Sequence, residues 1–273
     1  MPQLSIIIPL FNSCEFITRA LQSCINQTLK DIEILIIDDK SKDNSLNIVL
    51  EFAKKDPRIK IFQNEENLGT FATRNLGVLK SRADFIMFLD SDDFLALNAC
   101  ELALTKIKQG FDLLCFDAFV HRVKTKQFYR FKQDEAFNQK EFFEFLGKQR
   151  HFCWSVWAKL FRKDLILKSF ERINLYERLS YGEDVLFCYM NFLECDKMGV
   201  FKECIYHYEF NEKGRYENKN KEILWQNYKD KKRSNELIKK LSLELKNDEI
   251  CKRLLEVLEK EEKNLFLRYL KRN

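Results

Sequence analysis

Three carboxylates stand close together in the segment Asp90-Ser91-Asp92-Asp93, which directly follows the apolar run 85–89. Carboxylates this close repel one another unless a cation or a hydrogen-bond donor holds them. Hard oxygen ligands at this density suit Mg²⁺ or Mn²⁺, and such ions commonly bind together with a phosphate group. The segment therefore predicts a cation site that serves a phosphorylated ligand.

Two more polar clusters follow apolar runs nearer the start of the chain. The segment 9–12 (Pro-Leu-Phe-Asn) follows the run 4–8, and the pair Asp38-Asp39 closes the run 32–37. In an open α/β sheet, ligands bind beyond the carboxyl ends of the strands. If these runs are neighbouring parallel strands, the three clusters meet at one edge of the sheet.

The first half of the chain alternates strand and helix signals. Short apolar runs typical of strands buried on both faces occupy 4–8, 32–37, 59–62 and 85–89. Apolar residues at helical spacing occupy 16–25, 46–53 and 70–81. Asn12 and Glu15 are predicted to form the N-cap pair of the first helix. Buried strands joined by helices predict an α/β fold with a parallel sheet.

The second half is less regular. Strand-like segments occur at 112–120, 128–131 and 198–210, and helical segments at 140–146 and 185–193. From about residue 220 onward, the chain is predicted to be helical with heavily charged faces. A break near Asn247-Asp248 is expected to precede the last helix.

The composition is typical of one large domain with an appendage. The chain has 273 residues with only 7 Gly and 3 Pro, which argues against long flexible linkers. Its nine Cys show no metal-type spacing and indicate buried, reduced thiols. The first apolar run is too short for a signal peptide, and no window approaches the ~18 apolar residues of a membrane span. A cytoplasmic location is therefore expected.

Basic charge is concentrated in the tail. The whole chain has a net charge of +5, and residues 212–273 hold 18 Lys and Arg against 12 Asp and Glu. The remainder, which carries the acidic clusters, is slightly acidic. This distribution argues against a nucleic-acid-binding function for the predicted site.

The end of the last helix combines apolar with basic residues. It could lie on the anionic cytoplasmic face of an inner membrane, pack as a solvated helix on the rest of the chain, or form a homodimer contact. The sequence leaves these alternatives open. The residues concerned are Lys263, Leu265, Phe266, Leu267, Arg268, Leu270, Lys271 and Arg272.

Motifs that occur in order over residues 5–93 resemble those of family 2 glycosyltransferases. They are Ser5-Ile-Ile-Ile-Pro9-Leu-Phe11-Asn12, Gln27-Thr28, Ile37-Asp38-Asp39-Lys-Ser41-Lys-Asp43, Asn67-Leu-Gly69 with Arg74-Asn75, and Leu89-Asp90-Ser91-Asp92-Asp93. A weaker match continues through Trp157-Ala-Lys159-Leu-Phe-Arg162 and Glu183-Asp184. The chain is most similar to bacterial lipooligosaccharide or capsule β-galactosyltransferases. The resemblance implies an inverting, metal-dependent enzyme of the GT-A fold with a UDP-sugar donor.

The resemblance also implies which residues bind the UDP-sugar. Phe11 would stack on the uracil, unless it is a core residue, and Asp39 would accept a hydrogen bond from uracil N3–H. Arg74 would hold the diphosphate, or form an internal ion pair with an aspartate. Asp38 is expected to cap the turn that follows it. The predicted donor-binding residues are Pro9, Phe11, Asn12, Asp39, Arg74, Asp90 and Ser91.

The same resemblance implies a metal site and a base. The ion, Mn²⁺ or Mg²⁺, would be held among Asp90, Asp92 and Asp93, without a decision between them. His207 would add a ligand, or be a buried hydrogen-bonded histidine instead. The general base would be Asp184, with Glu183 as the alternative.

Two alternatives remain for the residues around the acceptor. The acidic pair could simply stabilise the start of a helix through the helix dipole. Trp154 and Trp157 could form a stacking wall for the acceptor sugar, or belong to the core. The acceptor itself would be a glycan or a lipid-linked oligosaccharide.

The resemblance thus implies a GT-A fold, with a mostly parallel central sheet flanked by helices. The catalytic domain would span 1–212, with a nucleotide-sugar half at 1–120 and an acceptor half at 121–212. A basic helical extension would follow at 213–273. The expected activity is inverting transfer of a hexose, with galactose favoured, to a bacterial surface glycan in β linkage.

Other function classes fit these residues less directly. An inactive relative that only binds nucleotide sugars remains an alternative. A haloacid-dehalogenase-type phosphatase is less compatible, because its Asp motif belongs on the first strand and here it follows the fourth. A dinucleotide-dependent dehydrogenase is disfavoured by the absence of a GxGxxG segment.

Overall fold

A computed structural model describes residues 1–121, 125–128, 131–148, 154–210, 220–243 and 249–270. These ranges contain ten strands and nine α-helices. The strands are β1 (Leu4–Leu10), β2 (Ile32–Asp38), β3 (Ile59–Gln63), β4 (Phe85–Phe88), β5 (Phe94–Leu95), β6 (Leu113–His121), β7 (Thr125–Phe128), β8 (Glu135–Asn138), β9 (Lys159–Arg162) and β10 (Lys197–Glu209). The helices are α1 (Ile17–Ile25), α2 (Ser45–Ala53), α3 (Thr70–Lys80), α4 (Ala99–Ile107), α5 (Gln139–Lys148), α6 (Lys163–Ser169), α7 (Glu183–Phe192), α8 (Lys221–Ser242) and α9 (Glu249–Leu270).

The strands form one mixed sheet in the order β3-β2-β1-β4-β9-β6-β10-β5, with β7 beside β6 and β8 beside β10. The four N-terminal strands are mutually parallel, since β1 pairs in parallel with β2 and β4, and β2 with β3. Strand β9 runs antiparallel to both of its neighbours, whereas β10 is parallel to β6. The predicted α/β architecture, with its parallel N-terminal strands and flanking helices, is confirmed.

The strand order creates a crevice between β1 and β4. From β1 the chain adds β2 and β3 on one side, and then returns to place β4 on the other side of β1. Ligands of open α/β sheets bind at such a reversal of strand order. The segment 9–12 includes the end of β1, and the segment 90–93 lies just after β4. The topology therefore places them on either side of the crevice.

Helices cover both faces of the sheet. Neighbouring residues of a strand face opposite sides, so Ile8 packs in one core cluster with Leu21 of α1 while Ile7 packs in the other with Phe71 of α3. Helix α3 lies very close to β1, because a Cβ on Gly77 would stand 2.4 Å from Ile7 Cγ2. This close packing fixes the start of α3 relative to the sheet edge.

The first helix begins later than predicted. Helix α1 starts at Ile17, and its N-cap residue Phe16 makes no side-chain cap hydrogen bond. Asn12 adopts φ 48°, and its Oδ1 accepts the Lys42 N–H at 2.8 Å. The predicted N-cap pair of Asn12 and Glu15 is therefore wrong, because the Asn12 side chain is engaged with the loop after β2.

The C-terminal helices pack on the rest of the chain. Leu258 and Leu265 of α9 are 1% and 5% exposed, so much of its apolar stripe faces the protein, whereas Leu267 and Leu270 are each 43% exposed. Within the described ranges, no helix combines the length and the apolarity needed to cross a bilayer. The predicted domain boundary at 212/213, the break at 247–248, and the basic residues Lys271 and Arg272 lie outside the described residues.

Candidate active site

A cavity of about 1210 Å³ opens at the crevice between β1 and β4. Its wall combines loops at the strand ends, the start of α7, and residues of α8 and α9. Most of the predicted site residues line it, namely Pro9, Phe11, Asn12, Asp39, Arg74, Asp90, Ser91, Asp92, Trp154, Trp157, Glu183 and Asp184. Two predicted residues, Asp93 and His207, do not line it.

Direct hydrogen bonds join the two sides of the crevice. The Ser13 and Ser91 hydroxyl oxygens lie 2.7 Å apart, and the Ser13 N–H donates to Ser45 Oγ at 2.7 Å. The first contact brings the loop after β1 against the loop after β4, and the second ties the loop after β1 to the start of α2. Beside them, Phe11 is 45% exposed on the cavity wall, so its ring is available to a flat ligand.

Asp39 organises the turn that leads into α3. Its carboxylate accepts the backbone N–H groups of Leu68 at 2.7 Å and Gly69 at 2.9 Å, and the Asn64 side-chain amide at 2.8 Å. Gly69 has φ 83°, a conformation that glycine adopts without strain. This role of Asp39 was not predicted, because the backbone N–H groups that it accepts lie about 30 positions further along the chain. Asp38 accepts the Ser41 N–H at 3.2 Å and caps the turn as expected.

Arg74 is the centre of an ionic network that spans the cavity floor. One terminal nitrogen contacts Asp184 Oδ1 at 2.5 Å and Glu183 Oε1 at 3.3 Å, and the other contacts Asp90 Oδ1 at 2.7 Å. The side chain of Arg74 is only 4% exposed. Of the two roles predicted for Arg74, the structure shows the internal ion pair. One guanidinium thus balances three carboxylates from two distant parts of the chain.

Burial changes the proton affinity of the acidic pair. Desolvation, and then the neighbouring charge of Asp184, raise the pKa of Glu183 to about 8. Desolvation also raises the pKa of Asp184, although Arg74 opposes this change. Burial disfavours the charge on Arg74, but the carboxylates of Asp184 and Asp90 outweigh it and raise the pKa of the guanidinium. The network is therefore arranged to hold a proton on Glu183 near neutral pH.

Asp93 faces the interior instead of the cavity. Its Oδ2 accepts the Tyr206 hydroxyl at 2.6 Å, and its Oδ1 accepts the Glu209 N–H at 2.7 Å. Burial, and then the charges of Asp90 and Asp92, raise the pKa of Asp93. Because both oxygens are engaged and the residue is 1% exposed, the structure gives no support for Asp93 as a metal ligand.

His207 also lies away from the cavity. Its Nδ1 is 2.9 Å from Nε2 of His121, and its ring stacks on Phe94 and Phe119 at centroid distances of 4.3 and 4.9 Å. Burial, followed by the charges of His121 and Arg19, lowers the pKa of His207 to about 4. These contacts correspond to the predicted alternative of a hydrogen-bonded histidine.

Asp90 and Asp92 are the predicted metal ligands that the structure brings to the cavity. Among the described residues, no group of three or more His, Cys, Asp or Glu side chains is arranged to hold an ion. Mg²⁺ is commonly held by one or two carboxylates together with substrate phosphates. The pair fits such a shared site.

Both tryptophans lie at the cavity wall, and Trp157 also belongs to the core. Trp157 is only 9% exposed and stacks on Tyr206 at 4.8 Å. The backbone carbonyl of Trp154 accepts the Cys188 thiol at 3.1 Å, which ties this segment to α7. The same segment is held from β9, where the buried Lys159 donates to the Ser155 carbonyl at 2.5 Å.

Sequence reasoning missed the contribution of the last two helices to the site. It treated residues after 212 as a basic extension, yet six of them line the cavity, namely Ile223, Lys231, Glu261, Asn264, Leu265 and Arg268. The helical period indicated which side of α9 is apolar. It did not indicate where on the protein that side would pack.

Comparisons with known proteins agree with this architecture. The model of glycosyl transferase family 2 matches residues 5–167. The cholesterol galactosyltransferase of Borreliella burgdorferi is 31% identical over 216 residues, which are 75% of this chain and 59% of that protein. The glycosyltransferase EpsH of Bacillus subtilis, described as putative, is 34% identical over 77% of this chain and 61% of its own length. The chain thus spans about three-fifths of the length of these relatives.

A similar solved structure is that of S. aureus TarS 1–349 in complex with UDP-GlcNAc. Its TM-score is 0.68, with 23% sequence identity over 87% of this chain and 66% of TarS 1–349. At this level of identity, the likeness shows a shared fold.

Proposed function

Because the chain belongs to glycosyl transferase family 2, we propose that it transfers a hexose from a UDP-sugar to a glycan acceptor. The observation that carries this proposal is the ionic network of Arg74, Asp90 and Asp184 at the crevice between β1 and β4. It places a candidate base beside a carboxylate of the segment 90–93. The names of the relatives and the UDP-GlcNAc complex of TarS support a nucleotide-sugar donor.

Asp184 is the candidate general base. Its side chain is 27% exposed and lines the cavity, whereas that of Glu183 is 11% exposed. The short contact with Arg74 favours the ionised form that a base requires. Asp184 would remove a proton from an acceptor hydroxyl while that oxygen attacks the anomeric carbon of the donor. One such displacement inverts the configuration and gives a β linkage from an α-linked donor.

Glu183 would act beside Asp184 as a neutral neighbour. With its pKa raised to about 8, Glu183 is protonated over much of the neutral range. A second charged carboxylate would repel both Asp184 and the diphosphate. The proton on Glu183 therefore leaves the charge of Arg74 for the two remaining carboxylates.

The donor would lie along the loops at the strand ends. Phe11 offers an exposed ring for the uracil, and Pro9 and Asn12 line the same wall. Asp39 holds the turn at Gly69 and can accept a further hydrogen bond from the base, because a carboxylate has about four lone-pair sites. Ser91, which contacts Ser13, would face the ribose together with Asp90.

Asp90 and Asp92 would hold the divalent ion, Mn²⁺ or Mg²⁺. When bound, the ion would neutralise charge that develops on the departing UDP. Arg74 keeps Asp90 oriented through the 2.7 Å contact. The network thereby couples the position of the donor carboxylates to that of the base.

Galactose is the proposed donor sugar, and the acceptor would belong to surface-glycan synthesis. The galactosyltransferase from Borreliella burgdorferi supports the former, and the minor teichoic acid biosynthesis protein GgaB of Bacillus subtilis supports the latter. Trp154 and Trp157, at the cavity wall, would stack on the acceptor sugar.

Contact with a membrane surface is part of the proposal for a lipid-linked acceptor. Leu267 and Leu270 are each 43% exposed near the end of α9, close in sequence to Arg268. Flotation with anionic vesicles should weaken when both leucines are changed to serine. The matched change Val257→Ser, at a position 53% exposed on the same helix, should leave flotation unchanged. Equal flotation of all three proteins would contradict the membrane contact.

Release of UDP tests the proposed activity directly. The wild type should release UDP from at least one of UDP-galactose, UDP-glucose and their N-acetylated counterparts in the presence of Mn²⁺ or Mg²⁺. Asp184→Asn should lower the transfer rate by roughly 10²–10⁴-fold, the usual contribution of a general base. Asp31→Asn, at an exposed position, is the matched control.

The outcomes separate the proposed enzyme from an inactive relative. UDP binding by the wild type without any turnover would favour a nucleotide-sugar-binding protein. Equal rates for wild type and Asp184→Asn would remove Asp184 as the base. Failure to bind UDP at all would contradict the donor assignment.

A further inference from the structure

The last two helices form a polar wall of the cavity that the proposed donor and base roles leave unused. We name it the C-terminal wall, and it consists of Ile223, Lys231, Glu261, Asn264, Leu265 and Arg268. The cavity, at about 1210 Å³, exceeds the roughly 300–1,000 Å³ typical of single small-molecule sites. There is therefore space for a second substrate beside the donor.

Helix α8 is fastened to the loop that carries the candidate base. Asp230 Oδ2 accepts the Ser180 N–H at 3.0 Å, and the Ser234 hydroxyl donates to the Gly182 carbonyl at 2.7 Å. Gly182 has φ 77°, and a Cβ there would lie 3.0 Å from Lys231 Cδ. The C-terminal wall thus begins directly beside the residue that precedes Glu183 in the chain.

The chemistry of the wall matches a sugar ring. Lys231 is 3% exposed, and its Nζ contacts Glu261 Oε2 at 2.7 Å. The wall also offers the amide of Asn264, so it contains both donors and acceptors for hydroxyl groups. Ile223 and Leu265 supply apolar surface for the C–H face of a ring.

A diphosphate fits the pair of Lys231 and Glu261 less well than a sugar. The carboxylate of Glu261 neutralises Lys231 and would repel a phosphate group, and Arg268 is the further charged residue of the wall. The hydroxyl groups of a neutral sugar can instead donate to Glu261 and accept from Lys231. This pair therefore suits a sugar, whereas the diphosphate is expected at the proposed donor end, where Asp90 and Asp92 need a cation.

We propose that the C-terminal wall binds the neutral sugar unit of the acceptor, with Lys231 and Glu261 as specificity-determining residues. This inference rests on the proposed glycosyl transfer, and it places the accepting hydroxyl near Asp184. The helices α8 and α9 are then part of the active site.

Matched variants on the two helices test the proposal. Lys231→Met replaces a buried ammonium by an apolar side chain of similar volume, and Lys232→Met is its exposed neighbour. Glu261→Ala is compared with Glu259→Ala, a second exposed position of α9. The acceptors are the methyl glycosides of galactose, glucose, N-acetylglucosamine and N-acetylgalactosamine. UDP release above hydrolysis is measured at saturating donor, and UDP affinity by calorimetry.

Lys231→Met and Glu261→Ala should each raise the KM for the preferred glycoside about tenfold or more, since a hydrogen bond to a charged group is lost. The dissociation constant for UDP should stay within about twofold, and both controls should match the wild type. Glu261 is exposed, so its variant keeps the test valid if Lys231→Met does not fold.

Other outcomes would overturn the proposal. A weaker affinity for UDP with an unchanged glycoside KM would assign the wall to the donor diphosphate. An unchanged glycoside KM in both variants would remove the wall from substrate binding. UDP binding without stimulation by any glycoside would also contradict a neutral sugar at this wall. Absence of UDP binding by the wild type would instead refute the proposed function.

Discussion

The two ends of the cavity are built in different ways. The proposed donor end consists of loops that follow β1, β2 and β4, all within the family match at residues 5–167. The acidic pair Glu183-Asp184 lies on α7, and the C-terminal wall lies on α8 and α9, all beyond that match. At the donor end, parallel pairing brings the residues together, whereas the other end depends on helix packing.

Because of this difference, we expect the two ends to recognise different parts of the substrates. The donor end is tied to the sheet by hydrogen bonds such as those from the Leu68 and Gly69 N–H groups to Asp39. The C-terminal wall has charged groups at the cavity mouth, including Glu261 with a 54% exposed side chain. We expect the first end to fix the nucleotide and the second to vary with the acceptor. Arg74 joins the two ends.

Removal of the Arg74 guanidinium, which joins the two ends, should have the largest effect on stability and transfer. Arg74→Met leaves Asp90, Glu183 and Asp184 without their buried counter-charge, which should lower the free energy of unfolding by roughly 3–5 kcal/mol. Transfer should be abolished, because Asp90 and Asp184 lose their common partner. Urea denaturation at pH 8 and UDP release are the measurements.

An exposed arginine serves as the control for this change. Arg178 has a 59% exposed side chain and pairs with Glu66, whose side chain is 61% exposed, so Arg178→Met should cost about 1 kcal/mol or less. Equal losses of stability in the two variants would argue against the central position of Arg74.

Changes at Asp92 and Asp93 test which aspartates of the proposed donor end bind the metal ion. Asp92→Asn should raise the Mn²⁺ concentration that gives half-maximal UDP release about 10–100-fold, the scale seen when metal sites are disturbed. Asp93→Asn should leave this concentration within about twofold but lower stability by roughly 1–3 kcal/mol, since a buried hydrogen bond is altered. A shift in metal requirement for Asp93→Asn alone would reverse the assignment.

Phe11→Ala tests whether the nucleotide base occupies the donor end. Stacking of a base on an aromatic ring contributes roughly 1–3 kcal/mol, so the dissociation constant for UDP should rise about tenfold. The side chain is 45% exposed, and the melting temperature should therefore change little. Leu97→Ala, at a position 63% exposed, is the control. A large loss of stability with unchanged UDP affinity would make Phe11 a core residue.

Glu183→Gln tests the proton that Glu183 is proposed to hold at the other end of the cavity. The pKa of Glu183 is about 8 in the folded protein and 4.5 ordinarily, so the folded state binds the extra proton between these values. Stability contributed by this proton is complete below pH 4.5 and is lost as the pH rises through about 8.

The glutamine variant does not titrate. Its stability relative to the wild type should therefore increase from pH 5 to pH 8.5, by up to roughly 4 kcal/mol, since each pH unit between the two pKa values contributes about 1.4 kcal/mol. Thermal unfolding of both proteins at pH 5, 6.5 and 8.5 measures this difference. Parallel curves would show that Glu183 is ionised throughout.

Much of the proposed donor end could be predicted from local patterns in the sequence. Apolar runs of strand length predicted β1 to β4, and the spacing of polar clusters predicted that their ends would meet. The Ser13–Ser91 contact at 2.7 Å shows that they do. Local periodicity was sufficient here because parallel strands in register place consecutive loops at one edge.

Packing between elements that are distant in sequence determines which of these residues face the cavity and which partners they contact. Arg74 contacts Asp184, which lies 110 positions further along the chain. The Tyr206 hydroxyl binds Asp93 in the interior. Helices α8 and α9 complete the cavity wall, and no local signal in the sequence indicates this position. Such contacts depend on how separate elements pack, and hydrophobic periodicity reports only that a face is buried, not what covers it.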